Sequence, residues 1–310
     1  MKALVTGCAG FIGSHLTERL LKEDFDVVGI DCFTPYYPRS IKEKNIADAL
    51  KRKGFTFIEA DILGLQELPE VDYVFHQSAQ PGVRGSWGDK FEIYVRNNIL
   101  ATQKLLEFYK DKELKKFIYA SSSSIYGDAE LPLREETTPK PVSPYGVAKL
   151  AGENLCYLYH KNHGTPTLWL RYFTVYGPRQ RPDMAINKLV AAISDGEEVV
   201  IYGDGKQTRD FTYVDDVVEA NLLAARSEIT GRAFNIGGGN RISVNDLVKL
   251  ISDLLKKETK IKHGDIQKGD VRHTWAHIER AKKELGWRPQ VNITEGLRRY
   301  IGSTLTSDIR

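Results

Sequence analysis

The 310-residue chain is 41% hydrophobic and 27% charged, an ordinary globular profile that excludes disorder and suggests about two domains. Its 44 Lys plus Arg against 41 Asp plus Glu leave a formal charge of +3, too even for a dedicated nucleic-acid or membrane-surface protein. No apolar run approaches the ~20 residues that span a bilayer. The N-terminal stretch does not read as a signal peptide, and Cys8, Cys32 and Cys156 lack zinc-ligand spacing, so a cytoplasmic chain without metal is expected.

In chain order, Ala3–Thr6 reads as a buried strand, and Ile12–Leu21 as a helix with Ile12, Leu16 and Leu20 on one face. Strands follow at Asp26–Ile30, Phe55–Ile58, Tyr73–Phe75 and Phe117–Ala120; helices are expected over Ile41–Arg52, Phe91–Tyr109 and Pro144–His160. Short apolar strands alternating with helices predict an α/β fold, a doubly wound parallel sheet covered on both faces. After Arg171 Gly and Pro become denser, which predicts a smaller second unit. The expected division is residues 1–170 and residues 171–310, with Asp215–Ala225 and Ala233–Ile236, part of 210–237, rejoining the first sheet.

Gly7, Gly10 and Gly13 lie between the first strand and the first helix. Glycine there permits a tight turn and lets a pyrophosphate approach bare backbone at the helix N-terminus. Asp31, ending the second strand, is suited to accept hydrogen bonds from adenosine hydroxyls and to repel a 2′-phosphate, which favours NAD over NADP.

YxxxK occurs at Tyr145/Lys149, Tyr157/Lys161 and Tyr202/Lys206, so context must choose among them. Tyr145 follows Ser143 and Pro144, a natural N-cap and first-turn pair, and shares a helical face with Lys149. A phenol is a poor base at neutral pH unless a neighbouring cation stabilises the phenolate. Ser121–Ser124 upstream offers hydroxyls to the same site, whereas Tyr202/Lys206 sits in a Gly-Asp-Gly turn. His76 reads as a satisfied structural histidine, and Asp215-Asp216 as helix capping rather than a metal pair.

These residues, with FHQSAQ at 75–80, NNILAT at 97–102, SSSSIYG at 121–127, SPYGVAK at 143–149 and RYFTVYGPRQRPDMA at 171–185, resemble the extended short-chain dehydrogenase/reductase family. The resemblance, to its nucleotide-sugar epimerase/dehydratase branch, covers essentially the whole chain. It implies a Rossmann domain holding NAD, a smaller C-terminal α/β domain holding a nucleotide sugar, and a homodimer through a four-helix bundle built from helices 91–109 and 144–160. The implied catalytic residues are Tyr145, Lys149 and Ser122. Implied cofactor contacts are Gly7, Gly10, Phe11, Ile12, Gly13, Asp31, Asp61, Ile62, Gln77, Ser78, Ala79, Asn98, Tyr145, Lys149 and Tyr172.

Within that branch, dehydratases carry an acidic pair before the Tyr126-Gly127 position, and decarboxylases a Glu; Ser123 and Ser124 stand there instead. A hydroxyl cannot replace a carboxylate as general acid or base. Epimerisation at C4 of a UDP-sugar is therefore expected. The FTVYGPRQRPDMA segment and the FTPYYPRSIKEK loop look most like UDP-glucuronate 4-epimerases. By that likeness Ser122, Ser123, Ser124, Thr174 and Arg181 surround a uronic carboxylate, although Arg181 also suits a diphosphate or a salt bridge. Arg209, Asp270, Arg272 and Tyr202 would face the UDP. The alternatives are a UDP-glucose or UDP-N-acetylglucosamine epimerase, then a UDP-glucuronate decarboxylase. From another class come a non-catalytic NAD sensor and an RNA-associated protein, which the intact Tyr145/Lys149 pair and the modest charge oppose.

Overall fold

A computed structural model describes residues 1–265 and 269–307. Seven parallel strands form the main sheet in the order β3-β2-β1-β4-β5-β6-β10. They are β1 (Lys2–Thr6), β2 (Asp26–Asp31), β3 (Phe55–Glu59), β4 (Tyr73–His76), β5 (Lys116–Ser122), β6 (Thr167–Tyr172) and β10 (Ala233–Ile236). Strand order reverses between β1 and β4, where Thr6 lies in register with both Ile30 and His76. Such a reversal opens a crevice beyond the carboxyl ends of the strands.

Helices α1 (Phe11–Lys22), α2 (Arg39–Ile46), α3 (Phe91–Tyr94), α4 (Ala101–Tyr109) and α5 (Pro144–His163) connect the first six strands. The sequence predicts one helix over Phe91–Tyr109, but a π-helical stretch, Val95–Leu100, separates α3 from α4. Likewise α2 stops at Ile46, and a separate turn at Ala49–Lys51 takes up the rest of the expected helix. Apolar side chains pack on both faces of the sheet, with Phe75, Ile118 and Leu168 on one and Leu4, Val74 and Phe117 on the other.

Beyond β6 the chain adds β7 (Thr174–Tyr176), α6 (Ala185–Asp195), β8 (Val199–Tyr202), β9 (Thr208–Tyr213) and α7 (Val214–Arg226) before returning to the sheet as β10. After β10 come β11 (Arg241–Ser243), α8 (Val244–Leu255), β12 (Ile261–Gly264), α9 (Glu279–Glu284) and α10 (Ile293–Ser307). Strands β11, β9 and β7 form a second sheet, and β12 and β8 a third. Asp216 differs from its sequence reading. Tyr213 is the N-cap of α7, and the Asp216 carboxylate instead accepts hydrogen bonds from Gln290 N (2.9 Å) and Val291 N (3.1 Å).

Candidate active site

The glycine turn opens the crevice. Gly7 has φ +70°, and a Cβ there would stand 2.8 Å from the Ser78 backbone. A Cβ on Gly13 would lie 2.1 Å from the Gly7 carbonyl oxygen, so only glycine lets α1 close onto β1. Gly10 caps α1 without any side-chain hydrogen bond, and no acid occupies the first turn. The first N–H groups and the positive dipole end of a twelve-residue helix are thus left for an anion. Asp31 is held by the N–H groups of Ala9 (3.2 Å) and Phe33 (2.8 Å) and lines the same cavity. A diphosphate joined to an adenosine fits this donor and acceptor set.

Ser143 caps α5 by accepting from Gly146 N at 3.1 Å, with Pro144 in the first turn. This start aims Tyr145 and Lys149 into the cavity. The Tyr145 phenol is hydrogen-bonded to Ser122; burial pushes its pKa up, while that bond and the Arg181 guanidinium pull it back. Lys149 is buried and donates from Nζ to the Ala120 carbonyl at 2.7 Å. Burial lowers its pKa to about 7, so a partner that favours the ammonium form recharges it near neutrality. Of the two other YxxxK tyrosines, Tyr157 is exposed, and Tyr202 lies beneath Arg84, whose guanidinium is 4.6 Å from its ring centroid.

The cavity wall brings together Gly7, Gly10, Phe11, Ile12, Gly13, Asp31, Asp61, Ile62, Gln77, Ser78, Ala79, Tyr145, Lys149, Tyr172 and Arg181. Asn98 is not on it. Its amide is buried against Gln80, accepting from Gln80 N (2.7 Å) and donating to Gln80 O (3.0 Å), and Asn97 lines the cavity instead. The π-helical turn sets this phase, which the sequence pattern of a regular helix does not reveal. Ser124 N donates to Ser122 Oγ at 3.1 Å in the turn Ser123–Ile125, and half-buried Thr174 opens β7. Arg181 forms an ion pair with Asp183 close to Tyr145.

The remaining predicted residues form a second cluster. Arg209 donates from Nη1 to the carbonyls of Thr208 (2.9 Å) and Arg272 (3.1 Å). Asp270 pairs with Arg84 at 2.6 Å, and Arg272 with Asp204 at 2.7 Å. Sequence reasoning missed Arg84, and also Lys42, Tyr36, Asp183 and Asn221. Asn221 Nδ2 donates to Tyr172 Oη at 2.8 Å, and Gln77 Nε2 donates to Asn221 Oδ1 at 3.0 Å. No motif marks Asn221, since α7 meets the cavity residues Tyr172 and Gln77 only through the fold. His76 is buried between Thr6 Oγ1 (2.8 Å) and Thr102 Oγ1 (2.9 Å), with a pKa lowered by burial to about 3. Among the described residues no cluster of three His, Cys, Asp or Glu is arranged to hold a metal.

A parallel sheet with a bare glycine turn at its switch point defines a dinucleotide-binding α/β protein. The chain belongs to the NAD-dependent epimerase/dehydratase family, which matches residues 3–237. It is 45% identical over 302 residues to the uncharacterised UDP-glucose epimerase YtcB of Bacillus subtilis strain 168, covering 96% of each chain. To the UDP-glucuronate 4-epimerase of Thermodesulfobacterium geofontis it is 39% identical over 306 residues, covering 96% of this chain and 94% of the relative. The solved UDP-glucuronic acid 4-epimerase of Bacillus cereus, in complex with UDP-glucuronic acid and NAD, is 43% identical. It superposes with a TM-score of 0.96, covering 99% of this chain and 100% of that one.

Proposed function

We propose that this chain is an NAD-dependent 4-epimerase that interconverts UDP-glucuronate and UDP-galacturonate. The observation that carries the substrate choice is that the Arg181 guanidinium lines the same cavity as Tyr145, where its charge acts on the phenol. The sugar atom that gives its proton to the phenol is the C4 hydroxyl, and the carboxylate sits on the neighbouring C5. A guanidinium acting on the phenol is therefore within reach of that carboxylate, and planar bidentate recognition suits it. Arg209 stands with the second cluster, which serves the UDP diphosphate, so Arg181 is left for the uronate.

When bound, NAD supplies reversible hydride transfer at C4. Tyr145, as phenolate, takes the C4 hydroxyl proton and later returns one to the same oxygen. Ser122, hydrogen-bonded to that phenol, orients the oxygen. Lys149 would hold the cofactor's ribose, whose hydroxyls would accept from its ammonium form, and that charge would favour the phenolate. The 4-keto sugar is a β-keto acid. Ser123, Ser124, Thr174 and Arg181 hold its carboxylate out of line with the carbonyl π system, which suppresses loss of CO₂.

In this reading residues 1–170, with part of 210–237, hold NAD, and the rest of 171–310 holds the nucleotide. Exposed Ile93, Leu100, Val147 and Leu158 on the 91–109 and α5 helices support a homodimer through a four-helix bundle. Exposed thiol Cys32 and a nucleotide cofactor fit the cytoplasm. No helix among the described residues is long and apolar enough to cross a membrane. A UDP-glucose epimerase is the second reading, favoured by the relative YtcB. Side-by-side kcat/KM values for UDP-glucuronate, UDP-glucose and UDP-N-acetylglucosamine decide. The uronate is expected to lead by at least about tenfold, the size of one charge-assisted contact, and a lead for UDP-glucose overturns the substrate assignment.

A further inference from the structure

Arg181 belongs to a segment that is fastened on either side. Arg179, at φ +64°, donates to Glu18 of α1 at 2.6 Å, and the Pro178 carbonyl bonds His15 Nε2 at 2.9 Å. Four residues after Arg179, Asp183 receives the Arg181 guanidinium fork-to-fork, Nε to Oδ1 at 2.9 Å and Nη2 to Oδ2 at 3.1 Å. Tyr36, from the loop after β2, donates its hydroxyl to Asp183 Oδ2 at 3.1 Å. Its ring centroid lies 5.7 Å from the guanidinium carbon. Tyr36 and Arg181 line the cavity. The Asp183 carboxylate holds this fork in the geometry that a uronic carboxylate would take on it.

Epimerisation through a 4-keto sugar requires the ring to turn over between the two hydride transfers, so contacts to its substituents must loosen midway. We propose that Asp183, anchored by Tyr36, is a positioning residue that takes back the Arg181 guanidinium while the uronate ring turns, the two carboxylates exchanging on one cation. The exchange keeps Arg181 charge-balanced at every stage. It also makes Asp183 an internal competitor of the substrate, lowering affinity and allowing the turn. This inference rests on the UDP-glucuronate reading.

The test is a double-mutant cycle on the NAD-loaded enzyme, combining Asp183→Asn with Arg181→Ala. Asp183→Asn keeps the shape and removes the competing charge. For UDP-glucuronate both KM and kcat are expected to fall, each by roughly three- to tenfold, the range for residues sharing one ion-pair network. In the Arg181→Ala background the same change is expected to do nothing further. Tyr36→Phe should shift both constants the same way by less, and it decides the matter if Asp183→Asn fails to fold or to retain NAD. A merely structural Asp183 would raise KM or leave it unchanged. That result, or a loss that persists without Arg181, overturns the inference while leaving the substrate reading intact. Wild-type enzyme that does not convert UDP-glucuronate overturns the substrate reading and this inference with it.

Discussion

Tyr145 is the phenol proposed as the catalytic base, and its surroundings pull both ways. Burial raises its pKa, and the Ser122 hydrogen bond and the Arg181 charge lower it. Replacing Tyr145 with Phe removes the proton acceptor and leaves the ring packed edge-on against Tyr94. Turnover is expected to fall by about 10²–10⁴-fold, as for loss of a general base, with NAD content unchanged in the purified variant. His76 carries the clearest pH signature. Its folded pKa of about 3 lies below the ordinary value of 6.5, so the unfolded chain binds the proton more readily in that window. The His76 contribution is thus full above pH 6.5 and is lost as pH falls toward 3. Thermal melts of His76→Gln should show a flatter decline of Tm across that window than the wild type. The two threonine hydroxyls that sandwich this ring explain why it is structural, as its place at a strand end suggests.

Among the elements, α5 does two jobs. Its first two turns present Tyr145 and Lys149, while Val147 and Leu158, eleven residues apart and so on one face, remain exposed. Val147→Asp combined with Leu158→Asp is expected to convert the proposed dimer to a monomer in light scattering while NAD remains bound; a dimer that survives both charges places the interface elsewhere. The strands of the first half were legible because short apolar runs bounded by Gly and polar turns have few other solutions in a strand–helix alternation. The cap of α5 was legible for a local reason too, since Ser143-Pro144 supplies the hydrogen bond and the φ that start a helix. The π-helical stretch Val95–Leu100 was not, because it changes which residue faces the cavity without changing the hydrophobic pattern. Asn98 and Asn97 exchange places for that reason alone.

At the scale of the whole molecule, the candidate site depends on contacts between residues far apart in sequence. Arg84 meets Asp270, Gln77 meets Asn221, and Tyr36 meets Asp183. Each pairing joins segments far apart in the chain, so motifs that hold Gln77, Tyr36 and Asp183 could be read singly while the pairings could not. Arg181 was read with three open roles, and its fork on Asp183 beside Tyr145 could be found only from coordinates. The C-terminal region is tied to α7 by Asp216, whose carboxylate accepts two backbone N–H groups, and by Trp287 Nε1, which donates to the Asp216 carbonyl at 2.8 Å. Asp216→Ala orphans those amides and is expected to cost about 1–3 kcal/mol in denaturant unfolding, whereas a change within error would mean that water satisfies them.

The most direct test of the account is proton NMR of UDP-glucuronate incubated with the purified protein and no added NAD. UDP-galacturonate should accumulate to a fixed equilibrium ratio, because the cofactor is borrowed and restored within one site and need not be supplied. UDP-xylose, or an unchanged substrate beside protein that holds NAD, would contradict it.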